Sequence, residues 1–293
     1  TALFFRDMKD LTFGDETHPT ANIILPTSVT DFESFASYPV YMRNCSNVLV
    51  EGLTLSRDAA SAAQGTGFYI NNDDNGYDNI VIKDCAAENR QIGIYAKGGS
   101  DVEIYSNTFY GSGTGNQSRP AVYIENIRKK DNDAPVKMAL NKFGGANTRS
   151  GVTFNTMFGL NISNVAGAGV DIVFEDNSGL NNLQSTGDAN VLSLYNVSET
   201  SVSNLDLSGT LGGVMHGRGI RVVNGTGYGD VTIDNCNIID HNEGVTIEGG
   251  YDYTVTNNDL HGNFYCLNMT SIFGVNVANG IYAEDNTFGG GDE

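Results

Sequence analysis

Gly67-Phe68-Tyr69-Ile70 is the stretch from which the fold is read, because the chain keeps returning to its pattern. Val40-Tyr41-Met42, Ile94-Tyr95-Ala96 and Val122-Tyr123-Ile124 carry the same apolar–Tyr–apolar triplet. Val152-Thr153-Phe154, Leu192-Ser193-Leu194, Ile220-Arg221-Val222, Val245-Thr246-Ile247 and Leu267-Asn268-Met269 keep the frame without the tyrosine. Most first members lie roughly 22–30 residues apart, within the range of repeat architectures. Strict alternation sends the two flanking residues to one face of a strand and the middle one to the other. Tyr41, Tyr69, Tyr95 and Tyr123 are therefore expected to form one outward column on consecutive rungs.

A second template follows each triplet: apolar-x-apolar-x-x-(Asn/Cys/Leu)-x-apolar. Val48, Val50, Leu53, Leu55 fit it, as do Val102, Ile104, Asn107, Phe109 and Val136, Met138, Asn141, Phe143. It recurs at Val231, Ile233, Cys236, Ile238, at Tyr253, Val255, Asn258, Leu260 and at Ile281, Ala283, Asn286, Phe288. Asn also stands two places after many triplets, at Asn44, Asn72, Asn126, Asn196 and Asn224. Alternation turns those residues inward, where their amides are expected to bond from rung to rung as a ladder. Two short strands per repeat cannot bury a face alone. Stacking coils in parallel, about 4.8 Å apart, buries one continuous interior. No stretch has sustained helical periodicity, and the propeller and calcium-nonapeptide motifs are missing, which leaves a parallel β-helix.

Composition agrees. Only 17% of residues are charged, Gly is abundant (36) and Pro scarce (5), as expected of many short strands joined by tight polar turns. The formal charge of −19 repels nucleic acid and anionic surfaces. No run of 18 or more apolar residues occurs, so no membrane insertion is expected. Cys45, Cys85, Cys236 and Cys266 show no spacing that pairs them, and are expected to be free, buried small hydrophobes.

The chain resembles the right-handed β-helix, or pectin-lyase-like, superfamily. Gly93-Ile94-Tyr95-Ala96 leading to Val102-Glu103-Ile104-Tyr105-Ser106-Asn107-Thr108-Phe109 carries the likeness, as does Gly219-Ile220-Arg221-Val222 leading to Val231-Thr232-Ile233-Asp234-Asn235-Cys236. The expected fold is all-β, a single right-handed parallel β-helix of about ten coils. Residues 1–39 are expected to be an irregular N-terminal capping segment and 40–293 the helix. Within the segment, Leu3-Phe4-Phe5 and Leu11-Thr12-Phe13 form a first imperfect rung. Asn22-Ile23-Ile24-Leu25-Pro26 and Phe32–Phe35 read as a detour covering an open end.

Three groups of residues are candidate sites. Outward aromatics at coil spacing suit a sugar ring or a protein partner, which makes Tyr41, Tyr69, Tyr95 and Tyr123 the expected ligand column. Asp73, Asp74 and Asp78 gather carboxylates in the densest acidic turn, which suits Ca2+, although the spacing is not that of an EF-hand. His216-Gly217-Arg218-Gly219-Ile220-Arg221 brings a His and two Arg together and partly resembles phrases of polygalacturonases and of chondroitinase-B-like and alginate lyases. On that resemblance His216, Arg218 and Arg221 are the candidate catalytic residues. The Asp-Asp pair of the hydrolases and the Lys-Ser motif of the lyases are missing nearby. His18, His241 and His261 match no zinc spacing. Of the sequons, Asn116 and Asn268 are the two expected on the surface.

Two functions follow. The first is a non-catalytic extracellular module, a surface, filament or adhesion protein that binds glycan or a protein partner along its length. It would need no cofactor, with Ca2+ as an optional ligand. The second is a polysaccharide-degrading lyase or glycoside hydrolase. A strongly acidic chain is poorly built to attract polyanions, which favours the first. An extracellular, cell-surface or virion-surface location and self-association through coil ends or a lateral face are expected with it.

Overall fold

The computed structural model describes residues 3–13, 21–25, 39–57, 66–72, 78–88, 92–110, 122–125, 136–143, 158–163, 172–178, 190–208, 216–270 and 279–289. Among the described residues every regular element is a strand and every ladder is parallel. The triplets form the first ladder. Leu3–Arg6, Val40–Arg43, Thr66–Asn72, Ile92–Gly98, Val122–Glu125, Phe158–Ser163 and Asn190–Tyr195 pair in that order. The first halves of His216–Asp234 and His241–Thr256 and then Tyr265–Thr270 continue it.

The second ladder runs from Lys9–Phe13 through Ser46–Glu51, Asp78–Lys83, Ser100–Tyr105, Val136–Ala139, Ile172–Glu175 and Thr200–Ser203. It ends in the second halves of His216–Asp234 and His241–Thr256 and in Asn279–Glu284. The coils also have a third face, formed by strands in the N-terminal half and by isolated bridges beyond it, so the repeat has three faces and not the two read from the sequence. Ala21–Leu25, Leu53–Arg57, Ala86–Glu88, Thr108–Tyr110 and Lys142–Phe143 form that ladder. Isolated bridges Lys142↔Ser178 and Asp206↔Asn237↔Asp259↔Thr287 prolong it. The third strand was hidden because it is only the x-apolar tail of the second template. Ala21–Leu25 belongs to it, pairing with Leu53–Arg57, and is not part of a detour. Phe32–Phe35 lies outside the described residues, as does the Val152-Thr153-Phe154 triplet. The strand that continues the first ladder there is Phe158–Ser163, with Leu160 between Val122 and Leu192.

Alternation places the flanking triplet residues in the core: Val40, Phe68, Ile94, Val122, Leu192, Ile220 and Val245 are fully or almost fully buried. From Gly52 onward the corner between the second and third faces repeats from coil to coil. A residue with positive φ turns the chain: Gly52, Asp84, Ser106, Leu140, Asp176, Asn204, Asn235, Asn257 and Asp285. The next residue points inward, and here the amide ladder is found. Asn141 Oδ1 accepts from the backbone N–H of Asn107 at 3.0 Å and from its Nδ2 at 3.1 Å. Asn177 does the same for Asn141, at 2.9 Å in both bonds. The Nδ2 groups of Asn107, Asn141 and Asn177 also donate to the carbonyls of Ile82, Ile104 and Met138. Asn258 and Asn286 repeat the pattern further on.

Cys85 and Cys236 fill this position at the start of each run. Their N–H groups donate to Asn107 and Asn258, and Leu205 separates the two runs. Burial pushes both thiols up to about 12, so they stay protonated and unreactive near neutral pH. All four cysteines are free, and Cys266 is half-buried.

The ladder expected two places after the triplets forms only in part. Asn72 and Asn224 are buried and bond Cys45 and Val197 N–H. Asn44 and Asn196 instead take φ of 53° and 51° themselves and are half-buried; Asn196 Oδ1 accepts from the Gly225 N–H of the next coil at 2.9 Å, and Asn126 lies outside the described residues.

Among the described residues Leu140 is the one apolar side chain at a positive-φ corner, with φ 57° and 59% exposure. A left-handed conformation costs an ordinary L-residue about 1–2 kcal/mol and Asn much less. Leu140→Asn should therefore raise the unfolding free energy by about 1 kcal/mol in urea titrations. A lower or unchanged midpoint would count against this corner geometry.

Candidate functional site

The outward column of the first ladder is where the expected site residues fall. In register it reads Phe4, Tyr41, Tyr69, Tyr95 and Tyr123, and further along Ser193, Arg221, Thr246 and Asn268. Its N-terminal half is an aromatic stack. Ring centroids are 5.1 Å apart for Phe4–Tyr41, 5.0 Å for Tyr41–Tyr69, 4.9 Å for Tyr69–Tyr95 and 5.0 Å for Tyr95–Tyr123. The spacing is that of the strands, so stacking follows directly from the register. The four tyrosines are half-buried, because each ring covers part of its neighbour. The column is thus a continuous ridge and not a set of separate open platforms.

The C-terminal half of the same face is ionic. Arg218 Nε donates to Glu243 Oε2 at 2.9 Å, across register-paired positions. Arg221 Nε donates to Glu248 Oε1 at 2.6 Å, one step diagonally. The Thr246 hydroxyl and Asn268 Nδ2 also donate to Glu243. Arg221 Nη1 reaches the Tyr195 hydroxyl at 3.4 Å, with its guanidinium carbon 5.9 Å from that ring's centroid. Asn190, beside Arg218 in register, is fully buried and donates through Nδ2 to Ser193 Oγ at 3.0 Å.

Gly219 is what puts both arginines on this face. A Cβ there would collide with the Ile238 side chain and stand 2.8 Å from the Gly244 carbonyl oxygen. The backbone therefore turns inward at Gly219, and Arg218 and Arg221, three apart, both emerge on the outer side.

The electrostatics are those of a closed network. Burial would raise the Glu243 carboxyl, but hydrogen bonds from Thr246, Arg218 and Asn268 and the Arg218 charge outweigh it and hold the group below its ordinary value. The Glu248 hydrogen bond, working against burial, raises Arg221. Each guanidinium is thus matched by a carboxylate from the next coil.

The candidate catalytic residues are brought together only in part. Arg218 and Arg221 share the face, while His216 is placed by its backbone alone, opposite His241 in register. His241 is buried, with Nε2 2.6 Å from the Leu207 carbonyl oxygen and its N–H bonded to Asn263, a structural role. His261 is exposed and bonds Asp259, which raises its pKa. Of the acidic turn only Asp78 is described. It is half-buried and its N–H donates to Ser46 Oγ, whereas Asp73 and Asp74 lie outside the described residues. Among the described residues no group of three or more His, Cys, Asp or Glu side chains is disposed to hold a metal ion, and no helix is long and apolar enough to cross a membrane.

Glu243 and Glu248 went unrecognised in the sequence. The signal was present, because aligning Ile220 with Val245 sets Glu243 against Arg218 at once.

Comparison with known proteins supports the architecture. Residues 27–134 match the family model described as right handed beta helix region. No curated protein and no solved structure matches the chain. The match over residues 27–134 agrees with the parallel β-helix class that the resemblance implied.

The lowered carboxyl sets a pH test. A group whose folded pKa is depressed stabilises the fold fully above its unfolded value and loses that contribution as pH falls through the folded pKa. Wild type should exceed Glu243→Gln in stability above pH 4.5, the ordinary value, and the difference should shrink on acidification below it. Urea midpoints of the two proteins across that range give the readout. A pH-independent difference would contradict the charged network.

Proposed function

We propose that this chain is a non-catalytic β-helix module that presents the outward face of its first ladder to a glycan or a protein partner. The observation that carries the reading is the mutual neutralisation of Arg218 by Glu243 and Arg221 by Glu248. A uronate lyase needs cationic groups available to the substrate carboxylate, and here both guanidiniums already hold one. A glycoside hydrolase needs one carboxyl kept protonated as general acid, whereas Glu243 is held in its ionised form. What remains is a long, ordered face, aromatic at one end and charge-balanced at the other.

Aromatic edges and hydroxyls spaced by the coil repeat suit a chain-like ligand that meets several rungs at once. An extracellular, cell-surface or virion-surface location is proposed with this reading, since long glycans are met there. No cofactor is required by it. Ca2+ at the acidic turn containing Asp73, Asp74 and Asp78 is proposed as an optional ligand.

The test is a panel of neutral and acidic polysaccharides, assayed for binding and for depolymerisation with and without calcium. Retention without new reducing ends or unsaturated uronates is expected. Tyr69→Ala together with Tyr95→Ala should abolish retention. Turnover that disappears in His216→Ala would overturn the non-catalytic reading, and retention that survives the double tyrosine change would remove the aromatic ridge as the contact.

A further inference from the structure

The corner that carries the amide ladder on its inside carries a second set of polar side chains on its outside. In three successive coils the positive-φ residue is Asn204, Asn235 and Asn257. Two places on, the outward residue of the third face is Asp206, Asn237 and Asp259, bridged in register. Between the two columns runs a groove of about 460 Å³ lined by all six, a volume in the range of small-ligand sites. Asn204, Asp206, Asn235 and Asn257 are exposed, and Asn237 and Asp259 are half-buried. Described coils flank the groove on both sides. The Asp176 N–H donates to the Ser203 carbonyl below it, and the Asn257 N–H to the Glu284 carbonyl above it.

The lining is ordered before any ligand arrives. Asn235 Nδ2 donates to Asn204 Oδ1 at 2.7 Å and Asn237 Nδ2 to Asp206 Oδ1 at 3.2 Å. Asn257 Nδ2 donates to Asp234 Oδ1 at 2.8 Å. A carboxamide has two N–H donors and an acceptor oxygen, so each bond from rung to rung occupies one donor only. Side chains held in this way have little left to lose on binding. The left-handed corner accounts for Asn204, Asn235 and Asn257. It does not account for the outward column, since earlier coils carry Thr54, Ala86 and Thr108 at that position. Asp206 and Asp259 each accept, through Oδ1, the N–H two residues on, which engages one of two carboxylate oxygens. Asn237 Oδ1 accepts no such bond among the described residues.

We infer that this groove binds a neutral, hydroxyl-rich oligosaccharide laid across the three coils. Sugar hydroxyls donate and accept together, and the lining answers with amide donors and with amide and carboxylate acceptors. An acidic sugar would meet Asp206 and Asp259 on a molecule of charge −19 and is repelled. A polypeptide partner would need aromatic or aliphatic anchors, and the apolar lining residues, Leu205 and Cys236, are buried. A hard cation would need several converging oxygens, whereas Asp206 and Asp259 stand two rungs apart, about 10 Å at the usual strand spacing. The groove belongs to the third face, so it works independently of the tyrosine ridge on the first.

Calorimetric titration of the full chain with cellohexaose, xylohexaose, mannohexaose and maltohexaose is the test, with hexagalacturonate as the acidic counterpart. At least one neutral hexaose should bind and shift the side-chain amide resonances of Asn235, Asn237 and Asn257, while hexagalacturonate should not. Ala86 stands at the outward position in an earlier coil, so Asn237→Ala combined with Asp259→Ala is compatible with the fold. That variant should bind about tenfold more weakly, the effect of one or two lost hydrogen bonds. Tyr69→Ala with Tyr95→Ala should leave the titration unchanged, which separates this site from the ridge. The proposal is overturned if none of the four neutral sugars binds, or if the shifts fall on the first-ladder face alone. Equal binding of hexagalacturonate, or undiminished binding in the groove variant, would overturn it as well. Resonance mapping on wild type decides even where the variant folds poorly.

Discussion

The structure depends on the inward carboxamide at the corner between the second and third strands. A chain that turns there brings backbone N–H and C=O groups to the edge of the core, where an unmatched group costs about 1–3 kcal/mol. Asn107, Asn141 and Asn177 answer that demand from inside: each accepts from the coil before it or donates to a carbonyl beneath it. An amide has both donors and an acceptor, so one side chain serves two coils. The bonds are directional and successive coils must meet them in the same register. The aliphatic columns then bury themselves in that register, and hydrophobic burial, which has no direction of its own, supplies the driving force.

What lies on the outside follows from what is fixed inside. Once Val40, Phe68, Ile94 and Val122 stack, Tyr41, Tyr69, Tyr95 and Tyr123 have to stack too, at the same spacing. Likewise Ile220 over Val245 brings Arg218 to Glu243, and the turn forced by Gly219 aims Arg221 at Glu248. The lateral face is therefore a projection of the core register, aromatic where the middle residues are tyrosine and ionic where they are not. A solenoid varies such a face one rung at a time without disturbing the interior, which suits the presentation of an extended surface better than the convergence of acid, base and nucleophile on one atom.

Much of this was legible in the residues, and the rest was not for identifiable reasons. The triplets and the second template could be read because period-two burial is a local property. The amide ladder is legible only in part at the corner after the triplets, where Asn72 and Asn224 bond inward, since Asn suits both an inward ladder and a left-handed turn. Asn44 and Asn196 take the turn while Asn107 and Asn141 take the ladder, and the choice rests on the φ of one residue. The third strand is too short for alternation to show itself, five residues at most and a single bridge residue in the later coils. The register is not legible near Val152 because the described strands there are separated by segments of unequal length, and Leu160 in Phe158–Ser163 carries it instead. The Arg–Glu pairs lie 25 and 27 residues apart in the chain and become neighbours only once the coils are aligned.

The most direct measurement of the central claim is native-state hydrogen exchange at the backbone amides of Cys85, Asn107, Asn141, Cys236 and Asn258. Each donates to an Asn side-chain oxygen rather than to a strand carbonyl. If the corner ladder sets the register, these amides exchange only with global unfolding, in the same slow class as the central strand amides of the first ladder. Exchange as fast as that of exposed turn amides, while the strands remain protected, would show that the coils hold their register without the ladder.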